Sequence, residues 1–540
     1  MKRATALLSI TFLSQYTALA SPVVPGLRGG PNSATLLTGQ PSPEPPPVVG
    51  NLVPGSTPFG SWATTATPPA QGNSSEPLYQ TNAIMDWEEP SYAPMTSTNN
   101  QVCAMAFHAP TSTEYSGSIR NSIQKVRFIA NNGSPVDVTT PTVSSRSGKN
   151  MYCVNLQISG LANNSVVEVR AIGYPNTGQP IVLQGDPDAD RFAWYRSQIV
   201  VANYSPTRYY LAPSGGGGSD SNNCTSGAPC LTIGRVKTVR GAGDWSNVEI
   251  CLNAGSYTLN DSGSATAANG WVIVKPCPGV AKNNVTINNW DQTFNRFSIQ
   301  GLLIRNAKNK TGPATSKIWI HDVNWDTVSG CLGSFDCQLL APGYTPSTGG
   351  GRWIYLTDSF VKNGFNVASE TMLYRNLHAE TFNSDLGQNV KTMINVEVDD
   401  WDHYCCGMHP DLNQISNGFG ARSHIVYGLT TLNPVRAQGL FASPTQTYAQ
   451  GIRALDDVAY VDVTINNTVA GYNAVQFGPA ASQGVGDNNN VFMWNLNITS
   501  GLNTLRDMSA TNWVIIDSVC TGDTIGSYAG VIYYGSSTCD

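Results

Sequence analysis

Residues 381–415 read TFNSDLGQNVKTMINVEVDDWDHYCCGMHPDLNQI. One short pattern occurs in this stretch twice: Asp385-Leu-Gly-Gln388 and, 26 residues on, Asp411-Leu-Asn-Gln414. A repeat of that period predicts successive coils of a solenoid, with the two copies stacked as neighbouring strands. Side chains alternate along a strand. With Leu386 and Leu412 turned inward, Gln388 and Gln414 turn inward too, where an amide ladder with Gln476 would satisfy them. Asn383, Asp385, His409, Asp411 and Asn413 are then expected on the outer face. Stacked strands lie ~4.8 Å apart, so Asp385 and Asp411 should form a close carboxylate pair beside a histidine.

Short strand cores recur on either side of this stretch: WIYLTDSF from 353, MLYRNLHA from 372, MINVEVDD from 393, HIVYGLTT from 424, AYVDVTIN from 459, VFMWNLNI from 491 and WVIIDSVC from 513. A second strand type alternates with them: GFNVAS, SDLGQN, PDLNQI, QGLFAS and NAVQFG. The gaps are about 20 residues where loops are short and widen between His403 and Asn490, as insertions into a solenoid would widen them. The shorter gaps do not suit the four-stranded blades of a propeller.

The whole chain has 540 residues, enough for two or three domains. Only 12% of residues are charged, and 52 are glycine, a mixture that favours strands and tight turns over amphipathic helices. The net charge of -6 argues against a nucleic-acid surface. Residues 1–20 read as a secretory signal peptide, with Lys2 and Arg3 before an apolar run and Ala18-Leu-Ala20 as the cleavage site. No stretch is long and apolar enough to span a membrane. The expectation is a secreted, extracellular or cell-surface protein. Its 12 cysteines fit an oxidising compartment, and disulfides are preferred to zinc because Cys224/Cys230 and Cys331/Cys337 are each six apart. The partners of adjacent Cys405 and Cys406 stay open.

Residues 21–75 are rich in Pro, Gly, Ser and Thr and read as an extended linker. In residues 76–203, runs such as Val102–Phe107, Val126–Ile129, Tyr152–Leu156 and Val166–Ala171 predict a β-sandwich. The passage KVRFIANNGSPVDV…YCVNLQISGLANNSVVEVRAIGYP resembles an immunoglobulin-like or fibronectin type III-like module, and the resemblance implies a Cys103–Cys153 disulfide within the sandwich. Residues 204–220 form a glycine-rich linker and first strand. From Tyr209 the chain reads YYLAPSGGGGSDSNNCTSGAPCLTIGRVKTV, then NVEICLNAGSYTL. Its Tyr-Tyr-x-x-Pro-x-Gly strand, Asp-Ser-Asn turn, Pro-Cys-x-Thr-Ile and later Gly-x-Tyr resemble the start of secreted right-handed parallel β-helix proteins of the pectate-lyase-like superfamily. The resemblance implies an all-β chain whose residues 221–540 form a right-handed parallel β-helix of about thirteen coils.

It also implies polysaccharide as the substrate class, with lyase chemistry slightly ahead of hydrolysis. Non-catalytic glycan binding is the alternative. Four catalytic candidates follow from the predicted face: His409 as general acid or base, Asp385 and Asp411 as acid/base or cation-binding groups, and Arg436, 25 residues after Asp411, as the group orienting an acidic substrate. Trp401, His403 and Tyr404, in a loop with Asp399, Asp400 and Asp402, would contact sugar, as would Asn383 and Asn413. Lys391 and Arg422 are weaker cationic candidates. Asn383-Ser-Asp385, Asp399-Asp400 and His409 follow the motif order of polygalacturonase-like hydrolases, but the spacing differs and the third element lacks its glycine pair. Those roles are therefore not carried over. The calcium-site acids of pectate lyases are missing as well. No cofactor motif is legible, and calcium is compatible with the acidic groups without being indicated by them.

Overall fold

Ten consecutive strand cores, from WVIVKP at Trp271 to WVIIDS at Trp513, are rich in apolar residues at adjacent as well as alternate positions. Such a strand has two faces to bury. The computed structural model accounts for both. It describes residues 50–57, 83–176, 181–182, 198–260, 265–291, 294–305, 317–326, 338–340, 353–364, 366–369, 371–382, 385–388, 390–401, 411–415, 424–435, 438–442, 456–467, 473–477, 488–506, 510–523 and 531–539.

Thirteen strands stack in parallel as sheet one: Thr207–Leu211, Val248–Leu252, Val272–Pro276, Arg296–Gln300, Lys317–His321, Trp353–Gly364, Thr371–Phe382, Thr392–Trp401, His424–Thr431, Asp456–Asn467, Asn488–Arg506, Ala510–Ile516 and Val531–Tyr534. This is the parallel β-helix that the repeats predict, and the rung count agrees. Six of these strands run on, after a corner, into sheet two, which begins with Gly255–Asn260 and Val285–Asp291 and ends at Val519–Asp523. Sheet three holds the short strands Asn366–Ser369, Gly387–Gln388, Asp411–Ile415, Gln438–Ala442 and Asn473–Phe477. Isoleucine, valine, leucine and aromatic side chains from all three fill the cylinder.

The corner between sheets one and two is a single residue with left-handed backbone. Asp322, Asp358, Asn376, Asn395, Gly428, Asp462, Asn495 and Asp517 occupy it on successive coils, with φ from 46 to 82°. Only Gly, Asn and Asp enter that region at low cost. Their side chains also bond from coil to coil: Asn376 Nδ2 donates to Asp358 Oδ1 at 2.6 Å, Asn395 Nδ2 to Asn376 Oδ1 at 2.9 Å and Asn495 Nδ2 to Asp462 Oδ1 at 2.8 Å. At Gly428 the φ of 82° strains any side chain, and a Cβ would also meet the movable end of Lys149 of the sandwich at 2.4 Å.

The sandwich has two sheets. One joins Asn51–Leu52, Asn150–Leu156, Gln101–Phe107 and Ile84–Trp87; the other joins Ala93–Pro94, Gln198–Ala202, Ser165–Pro175, Ile123–Ala130 and Val136–Val138. Two features depart from the sequence reading. Residues 50–57, expected in the linker, belong to the sandwich: Asn51 and Leu52 pair in parallel with Asn155 and Leu156, and Leu52 is buried. The Cys103–Cys153 disulfide forms, but between paired positions of adjacent strands in one sheet. In an immunoglobulin domain it would bridge the two sheets.

The outer face of sheet one is covered by this sandwich. Trp271, Trp319, Tyr355, Ile394, Tyr427 and Phe492 pack against Ile84, Met105, Phe107, Met151 and the Cys103–Cys153 pair. Phe107 meets Tyr427 edge-on with centroids 5.4 Å apart, and Tyr115 stacks on Tyr534 at 4.6 Å, so the seam reaches the last coil. Each such side chain, fully covered, contributes ~1.5–3 kcal/mol, so the apolar set rather than any ion pair decides that the face is closed. Further disulfides join Cys224–Cys230, Cys251–Cys277 and Cys520–Cys539. Cys331, Cys337, Cys405 and Cys406 lie outside the described residues. No helix among the described residues is long and apolar enough to cross a membrane.

Candidate functional site

The repeated pattern lands on adjacent coils of sheet three, with Gln388 opposite Gln414. Asp385 and Asp411 are neighbours as well: the Asp411 N–H donates to Asp385 Oδ1 at 3.0 Å, and the Leu386 N–H donates to the Asp411 carbonyl at 2.9 Å. Their facing differs from the expectation. Asp385 is 3% exposed, Asp411 0% and Asn413 1%.

Register explains the inversion. Asn413 stands opposite Leu440, which stands opposite Val475, and both apolar residues are buried. Gln414 stands opposite Phe441, which stands opposite Gln476, and that column is half-buried. The Asn413 column thus faces the core and the Gln414 column is the more exposed one, while Leu412 between Asp411 and Asn413 is buried as well. Phe441 also separates Gln414 from Gln476, so the amide ladder does not run through. Gln476 Oε1 instead accepts from Asn473 Nδ2 at 2.8 Å.

Asn413 is corrected from a sugar contact to a fold-building group. Its Nδ2 donates to the Val390 carbonyl at 3.0 Å, and its Oδ1 accepts the Val390 N–H at 3.1 Å. That pair of bonds satisfies the backbone where the chain leaves sheet three for the next rung of sheet one. One residue on, the Lys391 carbonyl meets His424 Nδ1 at 3.0 Å. Burial holds the His424 imidazole down at about 4, against small opposing effects of backbone hydrogen bonds, so it stays neutral near pH 7. Tyr374 donates its hydroxyl to the Leu386 carbonyl at 3.0 Å. Lys391 itself turns to the sandwich, its Nζ 3.2 Å from Asp86 Oδ2, and is not part of an outer groove.

Trp401 ends the strand Thr392–Trp401 with its backbone opposite Phe382. Its side chain lies outside the described residues, as do Asn383, His403, Tyr404, His409, Arg422 and Arg436. Among the described residues no cluster of acids, cysteines and histidines is arranged to hold a metal ion.

Sequence reasoning missed the polar seam between the modules. Arg375, 2% exposed, contacts both Glu89 of the sandwich and Asp358 of the preceding coil. Glu89 also meets Arg146 at 2.7 Å, His321 lies 3.2 Å from Asp358, and Thr392 donates its hydroxyl to Asp86. Burial opposes ionisation of Asp358, but the hydrogen bond from His321 and the Arg375 guanidinium outweigh it and hold the carboxyl well below the usual range. The signal was an arginine inside an otherwise apolar core, MLYRNLHA. A charge there requires a buried partner.

No known family matches the chain, and no curated protein matches it. Among solved structures, it is similar to a Family 28 exopolygalacturonase of Yersinia enterocolitica, at 8% identity over 84% of this chain and 98% of that one, with a TM-score of 0.35. It is also similar to the catalytic unit of a GH87 alpha-1,3-glucanase from Streptomyces thermodiastaticus, at 10% identity over 84% of this chain and 92% of that one, with a TM-score of 0.27. Neither likeness assigns a role to any residue here.

Proposed function

We infer that this protein is an extracellular carbohydrate-active enzyme that cleaves an acidic polysaccharide. The observation that supports this reading is the Asp411 N–H to Asp385 Oδ1 bond, which brings aspartates of two consecutive coils together on sheet three. Neighbouring buried aspartates are raw material for acid/base chemistry on glycosidic bonds once a polymer can reach them. In the lyase version, His409 removes the proton beside a uronate carboxylate while Arg436 pairs with that carboxylate. The hydrolase version needs one aspartate to protonate the leaving oxygen and the other to activate water or attack, so it requires the two buried carboxyls, 3% and 0% exposed, to become accessible to the polymer. Lyase chemistry stays slightly ahead through the sequence resemblance. Trp401, His403, Tyr404 and Asn383 complete the proposed sugar contacts.

A second reading is favoured by burial. Asp411 and Asn413 build the coil from within, as they would in a glycan-binding protein without catalysis. One experiment separates the three. The purified protein is incubated with acidic and neutral polysaccharides while unsaturated-uronate absorbance and reducing ends are followed together. Absorbance means a lyase, and reducing ends without it mean a hydrolase. For the hydrolase, Asp411→Asn should lower turnover ~10²-fold or more with circular dichroism unchanged. Neither signal across the panel, with binding retained, leaves the glycan-binding protein.

A further inference from the structure

The chain carries ten Asn-x-Ser/Thr sequons; of the eight whose asparagines are described, four lie on the sheet-two side, three (Asn132, Asn163 and Asn203) in the sandwich and one, Asn223, in the entry to the β-helix. Four of the asparagines, Asn260, Asn284, Asn466 and Asn497, belong to sheet two or its immediate approach. Among the described residues, no sequon asparagine lies on the sheet-one rungs beneath the sandwich or on the short strands of sheet three. A strand turns residues i and i+2 to the same side. Asn497 is exposed with Thr499 beside it, and the intervening Ile498 is buried in the core. Asn284 is exposed with Thr286 on the strand that follows, and Val285 between them is buried. Both sequons therefore present amide and hydroxyl outward while the middle residue anchors the strand. Asn203 is the opposite case. It is half-buried, and its Nδ2 donates to the Ile158 carbonyl at 2.8 Å and the Leu161 carbonyl at 2.7 Å.

We propose that sheet two is a glycan-bearing face of this protein, N-glycosylated at Asn284 and Asn497, and that the Asn203 sequon stays bare. The donor class is an oligosaccharide carried on a polyprenyl diphosphate. The asparagine Nδ2 attacks the anomeric carbon, a C–N bond forms and the sugar–phosphate C–O bond breaks. The polyprenyl diphosphate leaves with the bonding pair, and Nδ2 loses one proton. At Asn203 that nitrogen would forfeit both carbonyl partners, leaving two backbone acceptors unpaired inside the sandwich. The proposal deepens the polysaccharide reading above, on which its consequence rests. With sheet one closed by the sandwich and sheet two carrying glycans, sheet three is the side left for a polymer.

The test is site mapping on the protein purified from its native secretions. Peptide N-glycosidase in heavy-oxygen water converts each occupied asparagine to a labelled aspartate, read by peptide mass spectrometry. The expected result is label at Asn284 and Asn497 and none at Asn203. In parallel, Asn497→Gln should remove one glycan's mass from the intact protein. Label at Asn203, or either Asn284 or Asn497 found wholly unlabelled, overturns the assignment. The mapping uses no substrate, so it can fail while polysaccharide cleavage is observed, and it can succeed where no cleavage occurs.

Discussion

Replacing Arg375 by methionine tests whether the sandwich is welded to the β-helix. The guanidinium is 2% exposed and joins Glu89 of one module to Asp358 of the other, with a further bond of 3.3 Å to the Glu88 carbonyl. Removing one partner from a buried ionic group typically costs 3–5 kcal/mol, because the remaining charges stay buried. Glu89 keeps Arg146, and Asp358 keeps His321 and Asn376, so the lower end applies: about 3 kcal/mol. The assay is urea unfolding followed by tryptophan fluorescence. Trp271 and Trp319 lie at the seam with ring centroids 5.7 Å apart, and Trp271 donates to the Ser91 carbonyl of the sandwich at 3.0 Å. Arg375→Met should shift the transition those rings report, and adding Glu89→Gln should cost less than the sum of the two single changes by ~1–2 kcal/mol. The pH dependence follows from Asp358. Its folded carboxyl titrates below an unfolded aspartate, so its stabilisation is fully present above about pH 4 and is lost as pH falls through the folded value. A shift under about 1 kcal/mol for Arg375→Met would refute the reasoning and leave the seam to apolar packing alone.

Three other outcomes follow from single residues. Asn395 has φ 52°, so Asn395→Ala should cost ~1–2 kcal/mol of unfolding free energy while Asn395→Gly costs distinctly less; equal losses would show that the corner carries no backbone demand. His424 binds its proton only near pH 4 when folded but near 6.5 when unfolded, so the unfolded chain holds more protons between those values and stability falls as pH drops through that window, by about 3 kcal/mol in all. His424→Gln should flatten the urea-midpoint profile over that range, and an unchanged acid slope would assign the loss elsewhere. Asn413→Ala leaves the Val390 N–H and carbonyl unpaired and should cost ~2–4 kcal/mol, with glycan affinity unchanged for the folded protein by calorimetry.

The site was legible in the sequence to the level of pairing and no further. Two copies of Asp-Leu-x-Gln, 26 residues apart, fix Gln388 against Gln414 and bring Asp385 beside Asp411. Facing was read from Leu386 and Leu412, which do lie in the core, but their polar neighbours are buried as well. Both Leu412 and Asn413 are buried, so the strand does not alternate, and one leucine cannot orient it. Leu440 and Val475, the two apolar residues stacked on Asn413, settle its direction, but only once register is known across three coils.

The covered face could have been read from the text. Compare HIVYGLTT with the sheet-two half of its neighbour, VTIN from Val463: the second alternates core and surface, whereas the first has no polar residue between Ile425 and Gly428. An outward-facing Tyr427, Tyr355 or Trp319 on every coil cannot be left to water over so many rungs. The same cores carry Asp, Asn or Gly at one fixed place (LTDSF, YRNLH, INVEV, VYGLT, YVDVT, WNLNI, IIDSV), and a strand interior otherwise disfavours all three. Their recurrence marks a corner, not a weak strand. The run on its N-terminal side is two-sided and the run on its C-terminal side alternates. Taken together, those two periods place the sandwich over sheet one, leave sheet two to solvent, and direct the search for chemistry to the short strands of sheet three.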